Sequence, residues 1–376
     1  MSVFFYFIRR IRKKIMKKNI KNIRKKIDET DRRIVGLLQA RAKLALEIGR
    51  LKNKEGSAAY VPRREKEVME NVFAAAADKS GGKKSFLNKE ALENIYSEII
   101  GACRNLEKPE KIAFLGPEGT FTHQAAVKKF GSSCFFKPCA SAGAVLKEIE
   151  NARADFGIVP VENSNEGSVN ATLDNLAGSD LCICAEINLK IEQCLLAKDM
   201  HKKIKKIYSH PHALAQCGAW LNANYPYVKL METSSTAEAA KKAAKENNCA
   251  AIASFTAAKI WKLCVVEKGI QSRGQNYTRF LIIGKNSPPP SGKDKTSVVF
   301  MGKDETGALY RLLAIFNKHK INLKRIESRP TKKKAWEYLF FADFQGHALD
   351  KKSAAMLEEL KKNCVFVKVL GSYPEC

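Results

Sequence analysis

A chain of 376 residues with 45% hydrophobic and 28% charged content has the length and apolar surface for two or three soluble domains. Its formal charge of +27 at pH 7 does not by itself make a nucleic-acid binder. Residues 1–26 hold eleven Lys/Arg and no acid, and the other lysines are scattered in pairs such as Lys202-Lys203, Lys241-Lys242 and Lys361-Lys362. That scatter makes a solvated basic surface rather than one recognition face, and a positive field draws in dianionic solutes only as a rate effect.

Two further features bound the class. Eleven cysteines follow no disulfide-framework or zinc spacing, as expected of reduced thiols in a cytoplasmic protein. The apolar run Val3–Ile8 stops at Arg9, too short for a signal h-region or a membrane span, and no cleavage site follows. No export and no membrane association are expected, and Met16 offers an alternative start.

In chain order, residues 1–19 read as a basic extension. From Ile20 to about Lys52 the apolar residues Ile23, Ile27, Ile34, Leu37, Leu38, Leu44 and Ile48 recur at helical spacing, with only Gly36 and Gly49 as weak points. A loop over Gly56–Val61 leads to Pro62, suited to the first turn of a second helix over 62–76. A polar break at 79–84 precedes a third helix over about 88–106. Three helices, one very long, cannot close a globular core alone, and an intertwined dimer is the economical solution. At Lys108 the texture changes. Short β-like runs (112–115, 156–159, 250–253) alternate with helices through residue 284, which predicts an α/β domain with parallel strands. Residues 285–295, with Pro288-Pro289-Pro290, read as a linker. Residues 296–374 then read strand, helix, strand, strand, helix, strand, the order of a ferredoxin-like βαββαβ module.

On the first helix Arg41 and Lys52 stand about 20° out of phase and roughly 16 Å apart along the axis, so both point to one face. Arg24 is about 100° away from Arg41 in phase and roughly 25 Å distant; it reaches a site containing Arg41 only from an antiparallel second chain. The pattern Ile23-Arg24-x-x-Ile27, Asp31, Leu37-Leu38 with Arg41, Ile48-Gly49-Arg50-x-Lys52 and Arg64-Glu65 resembles the all-helical chorismate mutase family over residues 20–107. The resemblance implies that Arg24 of a partner chain, Arg41, Lys52, Arg64 and Glu65 surround chorismate. Cations there hold two carboxylates in the reactive conformer and stabilise charge on the breaking ether oxygen of a pericyclic rearrangement. Two positions depart from the family. Val61 replaces an Asp common in relatives, removing a helix cap and a polar contact. Glu107 stands where relatives commonly place Gln, and a carboxyl donates to the ether oxygen only when protonated. Mutase activity is therefore expected to fall with rising pH unless the site keeps Glu107 protonated.

In the α/β region, Gly116–Thr122 follows a strand and opens a helix, offering backbone N–H groups to an anion. Val159–Val169 and Ser209–Cys217 are further polar loops at strand ends, and Ser234-Ser235-Thr236 is a plausible N-cap run. Four such loops in one α/β domain fit a ligand cleft at the carboxyl ends of the strands. After Gly274-Gln275, the segment Asn276-Tyr277-Thr278-Arg279-Phe280 places a hydroxyl and a guanidinium where a loop enters a strand. Together these motifs resemble prephenate dehydratase over residues 111–284, a two-lobed α/β fold with its site between the lobes. By that resemblance Thr278 protonates or orients the departing hydroxyl of prephenate while carbon dioxide leaves. Glu162, Asn163, Ser164, Ser209 and Gln216 line the cleft. Arg279 either binds a substrate carboxylate or serves the structure. His210 and His212 invite an acid–base assignment, with a scaffold role for His210 ahead of Pro211 as the alternative. His212 stands where relatives usually have Gln. No cofactor and no metal are implied.

In the last module, Gly307-Ala308-Leu309 opens a helix and Glu327-Ser328-Arg329-Pro330 ends a strand. They resemble the phenylalanine-binding ACT regulatory domain, which implies an allosteric site on Gly307, Ala308, Leu309, Glu327, Ser328 and Arg329. The expectation is a multidomain, bifunctional enzyme: an all-α chorismate mutase-type domain, a two-lobed α/β prephenate dehydratase domain and an ACT domain. It takes chorismate and prephenate, is inhibited by phenylalanine, and forms a homodimer or dimer of dimers with no nucleic acid. The alternatives are a monofunctional dehydratase with a vestigial helical dimerisation domain, and a non-catalytic amino-acid sensor.

Overall fold

The computed structural model describes residues 2–55, 60–79, 85–272, 276–331 and 337–375. The expected loop at 56–59, most of the break at 79–84 and the Gly274-Gln275 lead-in lie outside the described residues. The chain forms two compact units, residues 1–59 with 102–108, and residues 60–101 with 109–376.

The first unit consists of α1 (Ser2–Glu55) and the end of α3 (Lys89–Glu107). The helix α1 does not begin near Ile20 but runs from Ser2, because the preceding stretch contains no Pro or Gly. Much of its apolar spacing faces outward: Ile23, Ile27, Leu37, Leu44 and Leu51 are all exposed.

In the second unit α2 (Pro62–Lys79) starts on its proline, where the missing N–H costs nothing. The N-terminus of α3 is capped by Asn88, whose Oδ1 accepts from Ala91 N at 2.8 Å. A first lobe then begins with β1 (Lys111–Leu115), α4 (Phe121–Phe130), β2 (Phe135–Cys139), α5 (Ala142–Glu150) and β3 (Phe156–Asn163). It continues through β4 (Gly167–Ser168), α6 (Asn170–Gly178) and β5 (Cys182–Lys190). The second lobe holds β6 (Cys194–Ala197), β7 (Lys206–Ser209), α7 (Pro211–Asn224), β8 (Lys229–Glu232) and α8 (Thr236–Lys245). It closes with β9 (Cys249–Ala253), α9 (Phe255–Trp261) and β10 (Cys264–Lys268), after which β11 (Tyr277–Gly284) returns to the first lobe.

The sheets are mixed rather than parallel. In the first, ordered β2-β1-β3-β11-β5 with β4 on β3, β1 runs parallel to both neighbours and β11 antiparallel to both. In the second, ordered β10-β6-β9-β7-β8, β7 runs parallel to β8 and β9, while β6 runs antiparallel to β9 and β10. The cause is the double crossing between lobes: a strand that returns from the far lobe enters against the direction of those that stayed. The two crossings are tied together by Ile191 N to Asn276 O at 2.7 Å and Gln193 N to Gln271 Oε1 at 3.0 Å.

The last module is β12 (Asp294–Met301), α10 (Ala308–Lys318), β13 (Leu323–Pro330), β14 (Tyr338–Gln345), α11 (Lys351–Asn363) and β15 (Phe366–Pro374). Its antiparallel sheet, ordered β13-β14-β12-β15, is the ferredoxin-like arrangement read from the sequence. Val159, Val161, Leu281 and Ile283 of the first lobe share one buried cluster with Val299, Phe341, Leu370 and Tyr373 of this module. Alternate residues of the same strands, Ile158, Phe280 and Ile282, pack on the other face with Phe114 and Phe130. At the junction a Cβ on Gly371 would meet Ile183 O at 2.3 Å, so only glycine lets β15 lie this close to β5.

Candidate active sites and the interface behind them

In the first unit Lys52 and Glu107 come together, with Nζ 2.9 Å from Oε2 and both side chains largely covered. Arg41 is half-buried and Arg24 is exposed. In the second unit Arg64 pairs with Glu67 at 3.3 Å, and Glu65 lies 3.5 Å from Lys129 of α4.

The α/β domain assembles a cleft between its lobes. A cavity of about 270 Å³ is lined by Asn165, Ala215, Gln216, Gln271, Ser272 and Asn276. Behind it runs a chain of amides with a defined direction. Asn163 Oδ1 accepts from the backbone N–H groups of Asn165 and Glu166 at 2.9 and 3.2 Å. This fixes its Nδ2, which donates to Asn276 Oδ1 at 2.9 Å and Thr278 Oγ1 at 2.8 Å. Asn276 in turn donates to Gln216 Oε1 at 3.2 Å, and Gln216 to Glu166 at 3.4 Å. Because Thr278 accepts from Asn163, its own hydrogen is left to donate. Gln216 stands on α7 of the second lobe, so this chain also spans the cleft. His212, on the same helix, meets Glu166 at 3.0 Å.

Each remaining loop has a definite job. Ser164 Oγ accepts from Tyr277 N at 3.0 Å and Ser164 N donates to Tyr277 O at 2.9 Å, which locks the loop to β11. Ser209 is fully buried and donates to Ile252 O at 2.7 Å, so its hydroxyl braces β7 rather than facing the cleft. His210 is the N-cap of α7, its ring accepting from His212 N at 3.3 Å ahead of Pro211. Ser235 caps α8 by accepting from Glu238 N. In the 116–122 loop Thr120 caps α4, and His123 Nδ1 accepts from Gly119 N at 3.1 Å while its ring stacks on Phe114. Burial holds His123 below the ordinary histidine range, opposed by Glu118.

Two expected cleft residues point the other way. Thr278 pairs with Asn163 across β11 and β3, and Arg279 with Glu162. Neighbours on a strand face opposite sides, so with Thr278 and Asn163 at the cleft, Arg279 and Glu162 face the C-terminal module. Arg279 Nε meets Glu186 at 2.7 Å, its Nη1 meets Asp343 at 2.5 Å and its Nη2 donates to Tyr373 at 2.9 Å. It is not available to a substrate carboxylate. Glu162 lies 3.8 Å from Arg279 and 3.3 Å from Arg325.

The expected allosteric residues are split by the same alternation. Arg325, Glu327 and Arg329 are half-buried and face the dehydratase lobe, while Ser328 is exposed between them. Arg329 grips Asp174 with both oxygens at 3.1 Å, and Glu327 accepts from Ser168 at 2.8 Å. Gly307 caps α10 at φ +76°, a left-handed conformation suited to glycine, with Ala308 and an exposed Leu309 following on the first turn. Sequence reasoning missed Arg325, Glu186, Asp343 and Glu166. The first three belong to no motif, and Glu166 lay within a quoted loop without a partner to single it out.

Three family models match successive parts of the chain: chorismate mutase type II over residues 23–108, prephenate dehydratase over 112–288 and ACT domain over 296–364. These define a fusion of two enzyme domains with a regulatory one. A bifunctional chorismate mutase/prephenate dehydratase of Aquifex aeolicus is 48% identical over 357 residues, 95% of this chain and 98% of its own. One from Stutzerimonas stutzeri is 41% identical with the same coverage. The crystal structure of an Arthrobacter aurescens prephenate dehydratase in complex with L-Phe superposes with a TM-score of 0.65 at 35% identity, covering 70% of this chain and 90% of that one. The chain belongs to the bifunctional chorismate mutase/prephenate dehydratase family.

The His123 ring yields a pH prediction. Its affinity for protons is lower folded than unfolded, so its contribution to stability is full above about pH 6.5, the unfolded value. It is lost as pH falls, when the unfolded chain takes up a proton that the fold refuses, by at most about 1.4 kcal/mol per pH unit. Thermal melts at pH 7.5 and 5.5 should show a larger drop for wild type than for His123→Phe, which keeps the stack. Equal drops would assign the acid sensitivity to other groups.

Proposed function

We propose that this chain rearranges chorismate to prephenate in its helical domain and converts prephenate to phenylpyruvate in the α/β cleft, under feedback inhibition by phenylalanine. The observation that carries the reading is the Asn163–Thr278 hydrogen bond beside an interlobe cavity, which leaves a hydroxyl hydrogen to donate. Thr278 hydrogen-bonds the ring hydroxyl of prephenate. The carbon–carboxylate bond breaks, its electrons enter the ring, and the carbon–oxygen bond breaks on the far side. Carbon dioxide and water depart, with the hydroxyl taking a proton delivered through Thr278. Aromatisation supplies the driving force, so an oriented donor and correct positioning suffice.

In the mutase reaction Lys52 and Arg41 supply positive charge to substrate carboxylates and the ether oxygen, with Arg24 contributed by a second chain. The exposed apolar positions along α1 support a homodimer, or a dimer of dimers; a cytoplasmic location is part of the same proposal. Full-length similarity to bifunctional relatives favours two activities over a dehydratase with a vestigial helical domain. Phenylalanine binds the third domain at Gly307, Ala308 and Leu309 and against Ser328. The liganded Arthrobacter aurescens dehydratase supports a phenylalanine-responsive dehydratase.

The direct experiment follows loss of chorismate and of prephenate, with phenylpyruvate formation, in the presence and absence of phenylalanine. Failure of either substrate to turn over removes that activity from the proposal. Thr278→Ala should lower dehydratase kcat by roughly 10²–10⁴-fold and leave chorismate turnover intact. Because a carboxyl at position 107 can donate to the ether oxygen only when protonated, mutase kcat should fall as pH rises, and Glu107→Gln should raise the rate at pH 8 and flatten the profile. Identical profiles for the two proteins would remove Glu107 from the mechanism. Gly307→Val combined with Ser328→Ala should abolish inhibition while sparing both activities; undiminished inhibition would relocate the phenylalanine site.

A further inference from the structure

The strand that carries half of the expected amino-acid site also touches the dehydratase hairpin directly. Strand β13 is an edge strand that, among the described residues, pairs with β14 alone in its sheet. Of its inward residues, Arg329 ends on Asp174 in α6. Arg325 reaches the hairpin at 162–168 at both ends. Its Nε lies 3.3 Å from Glu162 Oε2, and its Nη2 donates to Ser168 Oγ at 2.5 Å. Ser168 donates onward to Glu327 at 2.8 Å. Asn163, which fixes Thr278, lies between these two anchor points, immediately after Glu162. The Arg325 side chain is 12% exposed, so the pair is partly shielded from screening solvent.

We infer that Arg325 is a positioning residue for the dehydratase pair Thr278–Asn163, and that its ion pair with Glu162 is the contact through which an amino acid bound against Ser328 acts on that pair. This rests on the regulatory reading above. Residues 325 and 328 lie on opposite faces of one strand, about 10 Å apart along it. A ligand pressing on the exposed face displaces the strand whose inner face holds the hairpin. Moving Arg325 pulls Glu162, and Glu162 cannot move without its neighbour Asn163 losing alignment with Thr278. The charges on β12 and β14, Lys295 and Asp343, hold the same interface but sit on strands fixed from both sides, and they serve docking.

The experiment measures three quantities on full-length Arg325→Gln and Glu162→Gln: dehydratase kcat and KM for prephenate, phenylalanine binding by calorimetry, and inhibition by phenylalanine. The expected result is lower kcat with KM nearly unchanged, phenylalanine affinity within about threefold of wild type, and inhibition weakened at least about tenfold. The double variant should add little to either single one, as for two partners of one contact. Chorismate turnover, which neither residue serves, is the internal check on folding, and if Arg325→Gln fails that check then Glu162→Gln reads the same contact. Wild-type kcat together with wild-type inhibition in a folded variant would overturn the inference. So would a loss of inhibition that merely follows a loss of phenylalanine binding. If wild type itself binds no phenylalanine, the regulatory reading fails, and the kcat and KM arm alone decides whether Arg325 positions the catalytic pair.

Discussion

A guanidinium almost sealed from water must find its counter-charges inside the protein, and Arg279 finds them on two domains at once. Glu186, fully buried on β5, takes one side, and Asp343 on β14 takes another. Lys295 of β12 holds both oxygens of Glu186 at 2.8 and 3.0 Å, and Ser297 donates to Asp343 at 2.5 Å. Burial alone would loosen the guanidinium's hold on its proton, but Tyr373, Asp343 and Glu186 more than reverse that. Burial likewise pushes the Tyr373 hydroxyl well up, reinforced by Asp343. Replacing such a network with apolar side chains need not weaken a fold, whereas removing one partner strands a buried charge at about 3–5 kcal/mol. Its consequence here is register. The apolar cluster around Val161, Leu281, Val299 and Tyr373 would tolerate sliding, and the ion pairs do not.

That register matters because β11 serves two interfaces with alternate residues. Phe280 and Ile282 pack on one side of the sheet, and Leu281 and Ile283 on the other. Thr278 points at the cleft, where Asn163 meets it, and Arg279 at the regulatory module. The Thr278 hydroxyl therefore has its position set by a strand clamped from behind. The amide chain from Asn163 through Asn276 to Gln216 adds direction to position. Its polarity starts at two backbone N–H groups and ends at the acceptor-only carboxylate of Glu166, so each amide has one satisfied orientation.

Much of this was legible in the sequence. The βαββαβ order, Pro62 at a helix start, a cap within the Ser234-Ser235-Thr236 run and two of the four polar loops, 159–169 and 209–217, beside a cleft all follow from local chemistry that tertiary structure did not override. The misplacements share one cause. Arg279 was set beside Thr278, Glu162 beside Asn163, and Ser328 beside Glu327 and Arg329, because a motif is read as a contiguous string. On a strand adjacent side chains diverge, and each of these strings splits between two faces. The period of two was present in the sequence, but the function of the hidden face was not, since Glu186 and Asp343 lie 93 and 64 residues from Arg279. Strand direction was illegible for a related reason: nothing local to β11 reveals that the chain has just returned from another lobe.

The turning-away of Arg279 also fits the chemistry of the cleft. A guanidinium clamped on the carboxylate that leaves as carbon dioxide would stabilise the ground state, where charge is localised, more than a transition state in which it flows into the ring. Uniform or ground-state binding of that kind lowers KM without raising kcat. The described residues lining the cavity are amides, one hydroxyl and one alanine, groups that orient a substrate without pinning a charge that has to move. The mutase rearrangement makes the opposite demand. Its carboxylates persist from substrate to product and charge builds on an ether oxygen, so fixed cations help throughout. One chain handling one carbon skeleton thus needs cations for the first step and neutral donors for the second. The arginine most prominent in its sequence is spent instead on holding the second site's scaffold in register.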